Sequence, residues 1–411
     1  MPTGSGVILH DEKLDKRKIK LISFISFLSG FSQALLLYVM SYYFRDATGS
    51  DNIGIFYTVS YIVVLFILLN LHKIVRKVGK LRNYFFTLLA KIIVIFALTM
   101  FEPSYISIIF LMGYIILGSL EWTNLDIILE SFSQDNLSGR IRGVHLTVFN
   151  LGFLLAPFLS TKILGWMGFH GIFVIILLIN MFILTISMIG LRNINHEFKQ
   201  RLKVVDVLAK AFRRKDIMRI YYVSFVLEFF FALMVIYTPL YLLDIGFTWE
   251  NIGVIFTIML IPFVVVQYPA GFLADKRLGE KEMIIFSLIV VALATLSVYF
   301  IDSLSIWVWG AVLFATRIGA ALIELLRDSY FYKRIDGYDV DLINFMRTSM
   351  PVAYIISTAL STVVILFLSI KVTFILVSFV ALSGLRAAWR LEDNKSEKEE
   401  RAAAQPIVRQ A

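Results

Sequence analysis

The sequence contains no cysteine. Disulfides, thiolate metal sites and cysteine nucleophiles are therefore excluded. Charged residues are also scarce, at 17% of 411, where soluble domains carry about 25%. No Gly-x4-Gly-Lys-Ser/Thr loop is present, so ATP-driven pumping has no anchor. Neither His-Glu-x-x-His nor Gly-x-Ser-x-Gly occurs, which leaves membrane protease and hydrolase chemistry without support and points away from an enzyme. A potassium-filter sequence and an Arg-periodic voltage sensor are missing as well. Nothing in the sequence asks for a cofactor or a metal.

What is abundant is apolar surface. Hydrophobic residues reach 59%, and the mean hydropathy is +0.80. No ordinary soluble fold hides that much, so the expected class is an all-α polytopic membrane protein. A bilayer core takes about 20 apolar residues per helix. Twelve such runs can be read, at 19–44, 53–72, 84–101, 104–132, 143–165, 171–191, 218–243, 252–273, 283–301, 305–331, 343–367 and 370–390. They are continuous, whereas transmembrane strands would alternate over about ten residues. The polar, basic opening residues show no cleavable signal, so the first run reads as a retained helix.

Charge sets the orientation. All but seven of the 39 Lys and Arg residues fall in the terminal segments and in the links that share their side. The exceptions are Arg45, Lys91, Lys162, Arg317, Arg327, Arg347 and Lys371. The positive-inside rule then puts both termini in the cytoplasm. The net charge of +9 is thereby explained as topology, not as a nucleic-acid surface. The expected location is a plasma membrane of prokaryotic type, with the lipid bilayer as partner and a monomer as the working unit.

The longest link, 192–217, divides the runs six and six. The halves also resemble each other. Tyr38, Tyr42, Asn52, Ile53, Gly54 and Thr58 match Tyr237, Tyr241, Asn251, Ile252, Gly253 and Thr257, each pair 199 positions apart. A same-orientation repeat of six helices implies two parallel bundles related by an axis normal to the membrane, with the substrate site between them near the midplane. The expected division is a bundle at 1–191, a cytoplasmic central loop at 192–217, a second bundle at 218–391 and a polar cytoplasmic tail at 392–411.

Three features together resemble the major facilitator superfamily over nearly the whole chain. One is the six-plus-six repeat with a basic central loop. Another is the 8–9 link, Gly271-Phe-Leu-Ala-Asp275-Lys276-Arg277-Leu-Gly279-Glu-Lys281, similar to the family's Gly-x-Leu-Ala-Asp-Arg-x-Gly-Arg-Lys loop with one extra residue. In the first half only Lys77, Gly79 and Lys80 survive of that loop. The third is the fifth run, where Gly143, Gly152, Ala156, Pro157, Ser160 and Thr161 follow the spacing of the drug:proton antiporter motif, with three glycines replaced. Small residues let another helix approach closely, and Pro157 permits a bend. The resemblance implies twelve helices in two bundles, alternating access, and a central cavity lined by runs 1, 4, 7 and 10. It also implies that Asp275, Lys276, Arg142 and Arg347 act as gate residues, with Asp275 the natural partner of the arginines. The fourth-run Arg motif of proton antiporters is absent; a faint counterpart, Leu313-x3-Arg317, lies in the tenth run.

Ionisable residues inside the membrane carry the functional signal, because each is costly there. Glu228 lies roughly 15 Å into run 7 and Arg317 roughly 18 Å into run 10, by the helical rise. Glu121 is in the middle of run 4. Arg317, Glu324 and Asp328 share one stripe of run 10, within about 20° of Arg317, with Arg327 beside them. Run 4 carries a second stripe of Ser119, Thr123, Asp126 and Glu130, while Glu121 and Asn124 occupy another face. A carboxyl group taken out of water can load and release a proton near neutral pH. Glu228 and Glu121 are accordingly the candidate proton carriers. Arg317 and Glu324, with Gln33, Asn124, Tyr38 and Tyr237, are candidates for the substrate site. Asp126, Glu130, Arg327 and Asp328 are candidate gate charges. A fixed ion pair is the alternative for Arg317 with Glu324 and for Glu228, solvated charges toward the cytoplasmic end are the alternative for Asp126, Glu130, Arg327 and Asp328, and plain interhelix packing is the alternative for the tyrosines; for Lys91 a structural role is the favoured reading.

The favoured function is proton-coupled export of a small amphipathic compound. Uptake of an anionic or polar solute bound by Arg317 stands beside it, as do a lipid flippase and a non-transporting membrane sensor.

Overall fold

The computed structural model describes residues 16–130, 138–191, 204–274, 279–335 and 340–392. Among these the chain is helical between short turns, with no strand. The first span is built from α1 (Lys16–Leu37) and α2 (Met40–Thr48); α3 (Gly54–Val78), α4 (Lys80–Met100) and α5 (Tyr105–Glu130) are spans 2 to 4. Spans 5 and 6 run together as α6 (Ser138–Gly190). After α7 (Val204–Arg213), span 7 is α8 (Lys215–Asp244). Span 8 is broken into α9 (Trp249–Leu260), α10 (Pro262–Val265) and α11 (Gln267–Leu273). Spans 9 and 10 are α12 (Glu280–Tyr299) and α13 (Ile306–Arg334). Span 11 is α14 (Val340–Arg347) with α15 (Ser349–Phe367), and span 12 is α16 (Val372–Trp389).

Eleven helical stretches are long and apolar enough to cross a membrane, the longest being Leu151–Gly190. That stretch holds two crossings. Gly168 has φ 62 and ψ −163, a conformation open essentially to glycine, and the chain doubles back there. Gly152 lies against Phe27 and Phe31 on the outward path. Phe173 meets Tyr43 edge-on just after the turn, Asn180 bonds Ser32, and Gly190 reaches Leu21 on the return. The chain therefore crosses twelve times in two bundles, as the apolar runs predict. We call the face bearing Lys16 and Trp389 proximal and the opposite face distal.

Two local features differ from expectation. The central loop contains α7, where Val207 and Ala211 are buried four residues apart. That spacing puts them on one helical face, which a window tuned to 20-residue apolar runs passes over. Span 8 breaks at Pro262, which stands at the first position of α10 because it has no amide hydrogen to donate into α9.

The bundles meet through pairs that obey the repeat. Span 2 packs on span 11, and span 5 packs on span 8. A Cβ on Gly54 would lie 2.5 Å from Thr362 Oγ1 and 2.7 Å from the Thr358 carbonyl. A Cβ on Gly253 would collide with Thr161 Oγ1 and lie 3.5 Å from the Pro157 carbonyl. Gly54 and Gly253 are register mates, so each half uses the same glycine to let a helix of the other half approach. Both contacts lie in the distal half of the membrane.

Candidate functional site

The buried charges separate into two groups. In the first bundle, Lys91 Nζ lies 2.6 Å from Glu121 Oε2, and both side chains are 0% exposed. Ser29 Oγ donates to Glu121 Oε1 at 2.7 Å. Asn124, one turn further along α5, accepts from Asn83 Nδ2 at 2.7 Å and donates to Thr87 Oγ1 at 3.1 Å. Gln33 Nε2 donates to the Gly118 carbonyl at 3.3 Å. Glu121 is thus enclosed within its own bundle with its oxygens occupied. This geometry suits a fixed pair, and it sets Glu121 apart from the other acid with which the sequence grouped it.

The second group surrounds Arg327 on α13. Arg327 Nη1 donates to Glu228 Oε1 at 2.8 Å and to Ser224 Oγ at 2.7 Å, both on α8. Asp328 Oδ1 stands 3.6 Å from Arg327 Nε. Glu324, one turn back, accepts from Gln267 Nε2 of α11 at 3.0 Å. Glu228 and Arg327 keep 13% and 12% of their side chains exposed. Ser224 also shares a hydrogen bond with Ser349 at the start of α15. Three carboxyl groups here share one guanidinium. The sequence stripe on span 10 identified the acids, but it could not show that Arg327, expected at a gate, is the partner of Glu228.

Arg317 is separate from that cluster. It is 1% exposed, and its guanidinium carbon lies 4.8 Å from the Phe230 ring centroid and 5.8 Å from that of Phe231. The pairing of Arg317 with Glu324 considered from the sequence is not formed. Tyr38 and Tyr354 are the titratable groups coupled to Arg317 electrostatically. Tyr38 stacks on Phe256 at 5.0 Å, and Tyr354 on Tyr61 at 4.2 Å. Tyr237 is fully buried and its hydroxyl shares a hydrogen bond with Ser361 Oγ at 3.0 Å, beside Gly54.

Among the described residues, ion pairs join the bundles at opposite faces. On the proximal side Arg347 Nη2 donates to Asp126 Oδ2 at 2.5 Å. The described partner of Arg347 is therefore an acid of α5; Asp275 and Lys276 lie outside the described residues. Glu130, Arg142 and Gly143 are helical, but their side chains fall outside the description. On the distal side Arg45 Nη1 donates to Asp244 Oδ1 at 2.6 Å, and Arg45 Nε lies 2.9 Å from Asp51. Sequence reading passed over this pair, counting Arg45 only toward topology. A signal was present, since Arg45 and Asp244 are 199 residues apart, the repeat offset itself. Register mates that touch each other must lie beside the axis relating the halves.

The fifth-run residues act at the interface and in the bundle core. Gly152 packs on α1, where a Cβ would meet the Phe27 carbonyl at 2.9 Å. Ala156 is buried, while Pro157 and Thr161 face Gly253 of α9.

A family model described as Major Facilitator Superfamily matches residues 22–326. Among solved structures, the chain is similar to a mutant of the nucleoside transporter NupG, with a TM-score of 0.71 and 12% identity over 91% of this chain and 99% of that one. It is similar to the same degree to the POT family transporter PepTSo, with a TM-score of 0.71, 12% identity, and coverage of 91% and 97%. No curated protein matches the chain in sequence.

Proposed function

The chain belongs to the major facilitator superfamily of membrane transporters, and on that premise we propose that it moves a small amphipathic compound by alternating access, coupled to protons through the carboxylates around Arg327. The proximal face is the cytoplasmic one in this reading, by the positive-inside distribution of Lys and Arg. The two bundles, divided at the central segment, rock about the aromatic region between Tyr38, Phe230 and Tyr354. Parting them on the distal side breaks the Gly54 and Gly253 contacts and the Arg45–Asp244 pair. Parting them on the proximal side breaks Arg347–Asp126.

The observation that carries the proton coupling is the excess of carboxyl groups. Glu228, Glu324 and Asp328 gather about Arg327 along a membrane span, with Glu228 bonded to it, Glu324 on Gln267 and Asp328 at the more exposed end. One arginine compensates one carboxylate, and a charge left over in that setting is costly. A proton on one of the acids removes the cost, and opening to either face changes how readily it exchanges. Glu324, held by the neutral Gln267, is the acid best placed to carry it; Glu228, bonded to Arg327, is its switchable neighbour. Glu121 is left with a structural role.

The fifth-run motif gave the sequence argument for export. Pro157 and Thr161 instead supply part of the distal seal against α9, a task that either direction of transport needs. Direction therefore follows from how proton and substrate influence each other.

The test uses proteoliposomes carrying wild type, Glu324→Gln or Glu228→Gln, with a compound panel and an internal pH dye. The expected outcome is that Glu324→Gln abolishes proton movement and gradient-driven accumulation yet keeps solute exchange at equal pH. If both variants accumulate solute under a pH gradient as wild type does, the coupling assignment is wrong.

A further inference from the structure

We infer that Arg317 is the recognition point for an organic anion: a single compact anionic group, of carboxylate type, on an aromatic or apolar body. This deepens the transport reading above and rests on it for the cycle that delivers the ligand. Arg317 is 1% exposed and makes no ion pair among the described residues. Its Nη1 has no hydrogen-bond partner. The other fully buried cation among the described residues is treated differently, since Lys91 has Glu121 at 2.6 Å. An arginine cannot shed its proton to escape burial. Its stacking on Phe230 and Phe231 offsets only part of the lost hydration. A guanidinium left with an open donor in a dry site is poised to take an acceptor from outside the protein.

The surroundings define that acceptor. Phe230 and Phe231 come from α8, Tyr354 from α15, and Tyr38 from the turn between α1 and α2, so the site spans both bundles. Phe256 and Tyr61 extend the aromatic wall. Phosphate or sulfate would need many donors to replace its water, and the site offers one guanidinium against aromatic rings. A carboxylate can be met bidentately by the guanidinium while its ring lies on the aromatic faces. A cationic ligand would be repelled.

The site also sets the sign of coupling. Glu324 lies seven residues along α13 from Arg317, about 10 Å by the helical rise. It shares its surroundings with Gln267, Arg327, Asp328 and Glu228. An anion brought to Arg317 adds negative charge at about that distance from those carboxylates, which favours their protonated forms. Anion and proton then favour each other's binding, which makes the cycle cotransport in one direction.

The test measures binding to the purified full-length protein with 2-naphthoate, its neutral amide 2-naphthamide, 2-naphthylmethylammonium and inorganic phosphate. Naphthoate is expected to bind, more tightly at lower pH, with the other three far weaker. Arg317→Gln is expected to weaken naphthoate by about thirtyfold or more, as loss of a buried charge partner does. Arg317→Lys, which keeps the charge without the planar fork, is expected to fall between the two, and elution as a single folded species checks both variants. Naphthoate binding within about twofold of wild type in Arg317→Gln overturns the assignment, as do equal binding of the amide, preference for the ammonium compound and failure of naphthoate to bind. Uptake assays with Glu324→Gln separate the two readings. If this variant still accumulates naphthoate under a pH gradient, the proton assignment fails while the anion site stands. If protons are coupled to the amide or the ammonium compound, the anion site fails while the proton assignment stands.

Discussion

Lys91 and Glu121 pose a measurable question, because a fixed ion pair and a proton carrier respond oppositely to paired mutation. Their charged atoms are 2.6 Å apart and both side chains are wholly buried. At an effective dielectric of 20 the attraction is about 6 kcal/mol, and the desolvation penalty of several kcal/mol per ion offsets most of it. The net value of the pair is therefore small. Removing one member is another matter, since the survivor stays charged and buried, at a cost of about 3–5 kcal/mol. Lys91→Met and Glu121→Gln should each lower thermal stability in detergent by that amount, with Glu121→Gln also leaving the Ser29 hydroxyl a weaker acceptor. The double variant Lys91→Met/Glu121→Gln should recover most of the loss and retain proton-driven transport. Melting curves and the same proteoliposome assay read both outcomes. The reasoning is refuted if the double variant is stable but no longer couples transport to protons, since Glu121 would then be a carrier. Additive destabilisation by the two single changes would refute it too.

Other expectations follow from single contacts. Gly253→Ala should disfavour the distally closed state, and Thr161→Ala should relieve much of it, because the close atom is the Thr161 hydroxyl. Gly54→Ala should resist rescue by Thr362→Ala, because the Thr358 carbonyl at 2.7 Å remains in the way; labelling of single cysteines introduced on the distal side reads both, with no native cysteine to interfere. Arg45→Asp should increase distal labelling, and adding Asp244→Arg should reverse it. Both side chains are about one-third exposed, so the stability change should stay within about 1 kcal/mol. Arg347→Ala should raise proximal labelling without altering naphthoate affinity by more than about twofold, because an ion pair at the rim acts on opening and not on the binding surface.

The fold was legible because the bilayer imposes a length rule on apolar runs. Twelve runs were counted from that rule alone, and Gly168 falls in the gap read between 165 and 171; the break at Pro262 and the central α7 needed backbone geometry. The site was legible by type and depth but not by partnership. Hydropathy locates Glu121, Glu228 and Arg317 inside the membrane, yet it carries no information about which helix lies opposite. Lys91 on α4 joins Glu121, and Arg327 joins Glu228, through packing between spans. Helical spacing showed that Glu324 and Arg317 share a stripe; their separation of seven positions is too far for a bond, and Gln267 fills the role.

The repeat explains where the two halves had to differ. Positions beside the axis are seen by both copies, so Arg45 and Asp244, one residue in two registers, can attract only because their charges diverged. The same holds deeper in spans 1 and 7. Ser29 and Glu228 are also 199 residues apart. Ser29 serves as a neutral donor to the enclosed Glu121, while Glu228 is a carboxylate held by Arg327 and partly exposed. The first half has thus neutralised its buried charges among themselves. Among the described residues, the second half keeps an acid excess and an arginine without a counterion. Exchanging the residues at these two positions, as Ser29→Glu with Glu228→Ser, should not transfer coupling to the first bundle. Glu228→Ser leaves Arg327 short of its partner, and Ser29→Glu sets a second acid against Glu121, where Lys91 can compensate only one. Loss of gradient-driven uptake together with loss of stability is the expected result. Restored coupling in the exchanged protein would show that the asymmetry is incidental.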